Sequence, residues 1–567
     1  MDLRPFLDGA PAQPADTLAT ALDHASVNDL GALVADHPEA CLSDGELTVR
    51  VVKTDVRTLT VTTRWGNHVV DQVLALPSRP LTLAERDEAL AMPSRPIHRR
   101  DGAWYDGLPS GDARGQVDRV VPALRPEDLG DPAFKAAHGV KRAYIAGAMA
   151  GGIGSPEIVM AMARAGYIGF YGAGGLELKQ VAQAVVKIKQ ELGALPCGFN
   201  LLHNPAEPAV EEATVDLYLE HGVTTVSASA FMGLTPAVVR FRLANIHEEN
   251  GQIIAPNKVL AKVSRTEVAE PFLRPAPAKL LEELVARRSI TARQAQLAAK
   301  LPIAEDITPE ADSGGHTDGR PLSVLVPVFR RLRDRVQAEL GYAVVPRIGA
   351  AGGIADPASV AAAFTMGAGY VLTGSVNQCT REAATSDVVK EMLSQAGYAD
   401  VANGPAPDMF EIGAKVQVLS RGSLYAQRSQ LLYDVYREFQ AWEEVPKVQR
   451  DKIEKQILGR RYEDVWADTE RYWMERDNRQ AQKAQKDSRH RMALCFRWYL
   501  GMTSRWARTG DLTRKRDYQI WCGPAMGLFN DWARGTPLEA WQDRTVVGIA
   551  DALLHGACVE LRRKMAH

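Results

Sequence analysis

TPEADSGGHTDGRP, residues 308–321, is the stretch around which the chain is organised. Within a few residues an apolar approach gives way to acid, two glycines and a histidine, which is how a strand end presents chemistry. Adjacent glycines reach positive φ and let backbone come close to a flat or phosphorylated ligand, so that His316, just beyond Gly314 and Gly315, can point into the space they leave. Asp312 and Asp318 flank it. A surface turn would use the same Asp, Gly and Pro to change chain direction. The pattern on either side decides between the two.

Outward from this stretch, beginning at Lys141, short apolar runs each end in Gly or polar residues, and a helical pattern follows each. The runs are 143–149, 168–171, 198–202, 225–230, 259–263, 306–312, 344–348 and 370–373, and the helices include 156–165, 176–192 and 357–366. Eight strands alternating with helices predict an α/β fold of the TIM (β/α)8 type, and most runs are apolar on both faces, as strands between a barrel interior and a helix ring must be. An open doubly wound sheet would instead concentrate a Gly-rich turn after its first strand. Here Gly or polar residues follow nearly every strand.

The barrel is expected over 126–400. Residues 1–125 read as a small accessory domain plus linker, with one β segment at 47–73 and a polar, Pro-punctuated tract at 78–115; His68 and His98 in it are isolated and read as surface residues. Between the fifth and sixth strands an insertion at 267–302 reads as two amphipathic helices, the second capped by Ser289 or Thr291. Placed on the catalytic face it would be a lid, and Lys279, Arg287, Arg288, Arg293 and Lys300 would give it a basic face for an acidic partner. After Val401 strand signals stop, and 401–567 is expected to be an α-helical C-terminal domain holding eight of the ten Trp. The tract 474–491 mixes charges without interleaved aromatics and reads as a solvated helix rather than a nucleic-acid patch.

Composition excludes little. Lys+Arg 67 against Asp+Glu 69 gives net charge −2, with 46% hydrophobic residues, an ordinary soluble balance. Six cysteines without any CxxC pair suit a reducing compartment better than a disulfide framework or zinc site, and no metal site is expected. With no signal-peptide pattern and no apolar run of spanning length, the expectation is a cytoplasmic protein with neither membrane nor nucleic acid as partner.

In a parallel barrel all strand ends meet on one face. The last two loops, GAAGGI at 349–354 and TGS at 373–375, are Gly-rich and sit where barrels bind phosphate through backbone N–H groups. No GxxxxGK[ST] is present, so a P-loop site is not supported. Small residues after the first strand, Ala150, Gly151 and Gly152, leave room for a planar ring, and Lys262 can set positive charge beside it. FMN fits both ends, with one phosphate and one ring whose reduced anion a lysine stabilises.

The arrangement AGGIGSPE at 150–157, GFNLLHNP at 198–205, AKVSRTE at 261–267, ADSGGHTDGRP at 311–321 and GAAGGIADP at 349–357 resembles the FMN-dependent nitronate monooxygenase and enoyl-acyl-carrier-protein reductase superfamily. ADSGGHT followed by Arg-Pro, with MALCFRWYLGMTSRW at 492–506 and DYQIWCGPAMGLFNDW at 517–532, is similar to the PfaD group, trans-acting enoyl reductases of polyunsaturated fatty acid synthases and polyketide synthases. The resemblance implies FMN, NADPH as hydride donor and a 2-enoyl thioester on an acyl carrier protein as acceptor. It implies flavin-site roles for Asn200, Lys262 and His316, and a phosphate cradle of Gly352, Gly353, Gly374 and Ser375, with Gly349 opening that loop. Gly319 departs from the family, which often has Asn there. A homodimer is admitted by the sequence but not specified by it.

For such a reaction the enolate left by hydride addition must be held and protonated at the α-carbon, and His316 is the side chain expected to do so, with solvent as the alternative donor. A nitronate monooxygenase would use the same flavin and histidine but pass electrons to oxygen. A non-catalytic flavin-binding subunit would need neither His316 nor Lys262.

Overall fold

The computed structural model describes residues 39–43, 47–53, 58–65, 68–75, 80–108, 117–203 and 207–567. They fall into two compact units, Met1–Leu124 with Leu561–His567, and Arg125–Glu560.

In the first unit the β segment read at 47–73 belongs to a four-stranded antiparallel meander of Glu39–Ser43, Leu47–Lys53, Thr58–Trp65 and His68–Ala75. The supposed linker is folded as well. Thr82 and Glu85 form a capping box that starts the helix Leu83–Ala91. Ile97–Arg100 pairs with both Ala103–Asp106 and Val117–Val121. Ala89, Leu90, Ile97, Trp104 and Val121 supply its core, enough apolar burial to order a tract whose prolines suggested otherwise. His98 is buried and its Nδ1 lies 2.9 Å from the Gly107 carbonyl, contrary to the surface reading; the His68 side chain lies outside the described residues. Arg562, also buried, binds the carbonyls of Ala89, Leu90, Met92 and Arg95, which fastens the chain's last residues into this unit.

The second unit contains the barrel, with strands β1 Tyr144–Ala146, β2 Ile168–Tyr171, β3 Gly198–Leu202, β4 Thr225–Ser229, β5 Lys258–Val263, β6 Asp306–Pro309, β7 in two pieces, Arg347–Ile348 and Ala350–Ala351, and β8 Val371–Thr373. All neighbours are parallel. The two pieces of β7 stand at opposite ends of the hydrogen-bonded order, so the ring closes through them as an eight-stranded barrel. Gly349 separates the pieces. A Cβ there would lie 2.3 Å from the Tyr370 ring and its N–H donates to Ile307 O at 2.9 Å, so this glycine is required by a core aromatic, a requirement other than the cradle contact expected of it. At the strand starts Arg347 donates to Asp306 at 2.7 and 2.8 Å and His138 Nε2 lies 2.9 Å from the same carboxylate, all three buried.

Residues 267–302 are helical, but they do not form a lid. Thr266–Leu273 is the ordinary helix following β5, packed on Leu322–Leu340. Ala278–Ala286 and Ala292–Ala298 come after it and lead into the start of β6; Thr291 and Gln294 form the capping box of the second. Gln294 Nε2 donates to Leu243 O at 3.0 Å, and Arg242 donates to Pro302 O at 3.3 Å, both at the C-terminal end of Pro236–Leu243. Helix ends and strand starts lie opposite the mouth, so these helices close the barrel's stability face. Leu281, Leu284, Ile290 and Leu297 are spent in the main core, which is what their amphipathic pattern was for. Arg287 pairs with Glu283 and Arg293 with Glu248. A carrier-docking face at the mouth is therefore not built from this insertion.

Beyond the barrel the chain is mostly helical, with an aromatic core in which Trp442 stacks on Tyr462 at 4.4 Å beside Phe410, Phe496 and Tyr499. Strands do not stop at Val401: Val401–Pro405 pairs antiparallel with Lys415–Leu419, and Val418 bridges to Trp521. Among the described residues no helix is long and apolar enough to cross a membrane.

Candidate active site

The loop after β6 is closed by Asp312 N–H donating to Arg320 O at 3.0 Å and Ala311 N–H to Ala351 O at 2.7 Å. Asp318 is a staple: it accepts from Ser264 Oγ at 2.5 Å and pairs with Arg265 at 3.0 Å. The added hairpin takes hold of the rest. Gly315 and Gln417 exchange two backbone hydrogen bonds of 2.9 and 2.8 Å, and Gln417 Nε2 donates to Asp312 Oδ1 and Ser313 O, each at 2.8 Å. A Cβ on Gly314 would lie 2.7 Å from the Cys522 amide, and one on Gly315, where φ is +82°, 2.8 Å from the Trp521 ring. Both glycines are thus required by the approach of the chain's own 521–523 segment, a requirement unlike the cofactor contact expected of them.

So held, His316 sits edge-on to Trp521, ring centroids 5.9 Å apart, and its Nε2 is 3.1 Å from both oxygens of Asp408. A carboxylate only accepts, so Nε2 carries the hydrogen and Nδ1 remains to exchange a proton. Burial works to raise the Asp408 carboxyl, but the His316 hydrogen bond and charge outweigh it and hold the group below its ordinary range.

Lys262 on β5 forms an ion pair with Glu310, whose other oxygen accepts from Ser313 Oγ at 3.2 Å. The lysine charge is therefore shared with a carboxylate that the sequence reading passed over. On β3, the Asn200 amide donates to Ser227 O at 3.0 Å and Ser229 Oγ at 3.2 Å. A Cβ on Gly174 would lie 3.4 Å from the Ala150 methyl and 3.6 Å from Asn200 Oδ1, so these two residues meet at a glycine-lined surface. Gly151 (φ +70°) and Gly152 (φ +76°) give their N–H groups to Gly174 O and Gly172 O, at 2.7 and 2.9 Å. The loops after β1 and β2 are interlocked, offering small atoms rather than donors.

The loops after β7 and β8 are neighbours by strand register, Ala351 opposite Leu372. Among the described residues the amides of Gly352, Gly353, Gly374 and Ser375 donate to no protein acceptor. Open space lies beside Gly353 and Gly374, where a Cβ would meet nothing within 4 Å. Four unspent donors beside open space suit one phosphate. Ser375 Oγ accepts from Gly523 N–H at 3.2 Å, so the 521–523 segment braces this corner too.

Residues 133–403 match the nitronate monooxygenase family, and residues 439–518 match the inserted helical domain of [acyl-carrier-protein] S-malonyltransferase. The chain is 44% identical over 459 residues to one of the polyunsaturated fatty acid synthase subunits of Thraustochytrium sp., covering 80% of this chain and 30% of that protein. It is 43% identical over 448 residues to polyketide biosynthesis protein PksE of Bacillus subtilis, covering 79% and 58%. The chain thus spans less than two thirds of each of these relatives. The crystal structure of the enoyl reductase domain of MlnA, from the macrolactin biosynthesis cluster of Bacillus amyloliquefaciens, superposes with a TM-score of 0.75 at 36% identity, covering 78% of this chain and 99% of that one. The chain belongs to the PfaD-type enoyl reductases of the nitronate monooxygenase superfamily.

Proposed function

We propose that the protein reduces 2-enoyl thioesters carried on an acyl carrier protein, with NADPH as electron source and FMN as bound cofactor, in polyunsaturated fatty acid or polyketide biosynthesis. The observation that carries this reading is the match along nearly the whole of a solved enoyl reductase domain. The residues present fit FMN: the unspent amides of Gly352, Gly353, Gly374 and Ser375 would hold its phosphate, and Ala150, Asn200 and the glycines around them would border its ring. When bound, FMN supplies hydride transfer between a nicotinamide and an electron-poor double bond.

The chain's own part is to hold the thioester and manage one proton. Hydride addition at the β-carbon leaves an enolate, and His316 donates to it from Nδ1 while Asp408 holds the ring and the charge that passes through it. Lys262, paired with Glu310, keeps a compact cation at the mouth without leaving it unbalanced.

The test is to release the flavin and weigh it, then to follow enoyl absorbance with NADPH and a short enoyl thioester. FMN and NADPH-dependent loss of the enoyl band are expected. Recovery of FAD, or of no flavin, overturns the cofactor assignment, and oxygen uptake with a nitronate in place of enoyl reduction assigns the site to nitronate oxidation.

A further inference from the structure

The helix Ser488–Thr509 carries several arginines, and most have partners: Arg491 pairs with Glu463 and Arg497 with Glu411. Arg508, in its last turn, does not. Among the described residues it makes no ion pair; one guanidinium N–H, on Nη1, donates to Gly151 O at 2.5 Å. It is half-buried, and burial, reinforced by the neighbouring charge of Arg505, lowers its pKa with no carboxylate to offset them. Nor is it needed to cap its own helix. Ala507 O already accepts from Gly510 N–H and Ser386 Oγ, and Trp506 O from Asp511 N–H.

An arginine offers five N–H donors in a planar fork suited to phosphate, and a partly desolvated one without a counter-charge is an anion site waiting for its anion. Its position narrows the choice. Gly151 belongs to the loop after β1, interlocked with the loop after β2, and a Cβ on Gly151 would lie 3.5 Å from Arg508 Cδ and one on Gly152 3.8 Å from the Tyr171 hydroxyl. This is the mouth of the barrel, on the side of β1 and β2, whereas the amide cradle is built from the loops after β7 and β8.

We propose that Arg508, with Arg505 one turn before it on the surface, forms a second phosphate subsite at the barrel mouth, for a phosphate borne by a reactant that enters and leaves. The proposal rests on the reading of the protein as an enoyl reductase, which supplies two sources of such a phosphate: the pantetheine arm of a carrier protein and the nicotinamide dinucleotide.

Calorimetric titration of the purified flavoprotein with two matched pairs tests it, 4′-phosphopantetheine against pantetheine and nicotinamide mononucleotide against nicotinamide riboside. In one pair the phosphorylated member should bind about tenfold or more tightly than its partner, and Arg508→Gln should abolish that difference while pantetheine or the riboside binds as before. The pair that responds names the source. Equal binding within both pairs by the wild-type protein overturns the proposal, as does a preference that survives Arg508→Gln. Should that variant melt early, Arg508→Lys, which keeps charge but loses the fork, is expected to reduce the preference, and an unchanged preference counts against the subsite. Binding needs no turnover, so loss of the enoyl reductase reading in the NADPH assay is seen separately.

Discussion

A histidine whose Nε2 is committed to a carboxylate trades protons through Nδ1 alone, and that is the state in which Asp408 keeps His316. Replacing His316 with Ala is expected to lower turnover by ~10²–10⁴-fold while FMN content, measured from the flavin spectrum, stays near one per chain. Near-normal turnover would make solvent the donor, and loss of flavin would make the residue a positioning one. Asp408→Asn should lower kcat by about tenfold, the worth of one charge-assisted hydrogen bond, with KM little changed, and Asp408→Glu should restore part of it. Unaltered kcat in the Asn variant would remove Asp408 from the mechanism. Of these groups only those at strand ends could be read from the sequence. Asn200 and Lys262 lie within apolar runs and His316 lies just beyond one, so the barrel sets all three toward the same end. Asp408 is 92 residues from His316, in a loop with no signature of its own, and only the fold brings it there. Glu310 lay in plain view beside His316, but nothing in the order of residues shows that it faces Lys262 on the next strand.

The strands of the barrel were legible because both their faces are apolar, a demand that leaves few alternative readings. The hairpin Val401–Pro405 with Lys415–Leu419 was not: Gly404 and Pro405 look like a turn, and KVQVL is too short to outweigh the helical pattern that follows. Yet this pairing bears directly on the site, since Gln417 grips Gly315 on both sides. Gly314→Ala should force apart the Cys522 backbone that its Cβ would approach to 2.7 Å, lowering the melting temperature and costing about 1–3 kcal/mol with parallel loss of activity. An unshifted melt would show that the loop and the 521–523 segment are free to separate. For the helical insertion, periodicity could establish helices but not which end of the barrel they occupy. That was decided by Thr266–Leu273, which takes the chain from the mouth to the far face before the remaining helices begin.

For the molecule as a whole, the stability of the barrel's closed end rests on Asp306, shared by Arg347 and His138. Burial opposes its charge, but those two partners hold its carboxyl well below the ordinary range. Its contribution is therefore full above the unfolded-state value of about 3.9 and is lost as pH falls through the depressed folded value. Asp306→Asn is expected to destabilise the barrel by ~3–5 kcal/mol at neutral pH, because the buried Arg347 loses its counter-charge, and to flatten the acid limb of the denaturation profile. Equal unfolding midpoints in urea for the two proteins would refute this. Composition gave no hint of such a cluster, since a balanced net charge of −2 is silent about which charges are buried together. The bracing of His316 and Ser375 by residues 521–523 has a further consequence in time. A chain growing on the ribosome displays its barrel strands and its histidine, then waits on the order of ten seconds at ordinary elongation rates for Trp521 and Cys522 to emerge and lock the loop. Until then it can close a ring of strands, but the loop that bears His316 and the corner at Ser375 stand without their brace.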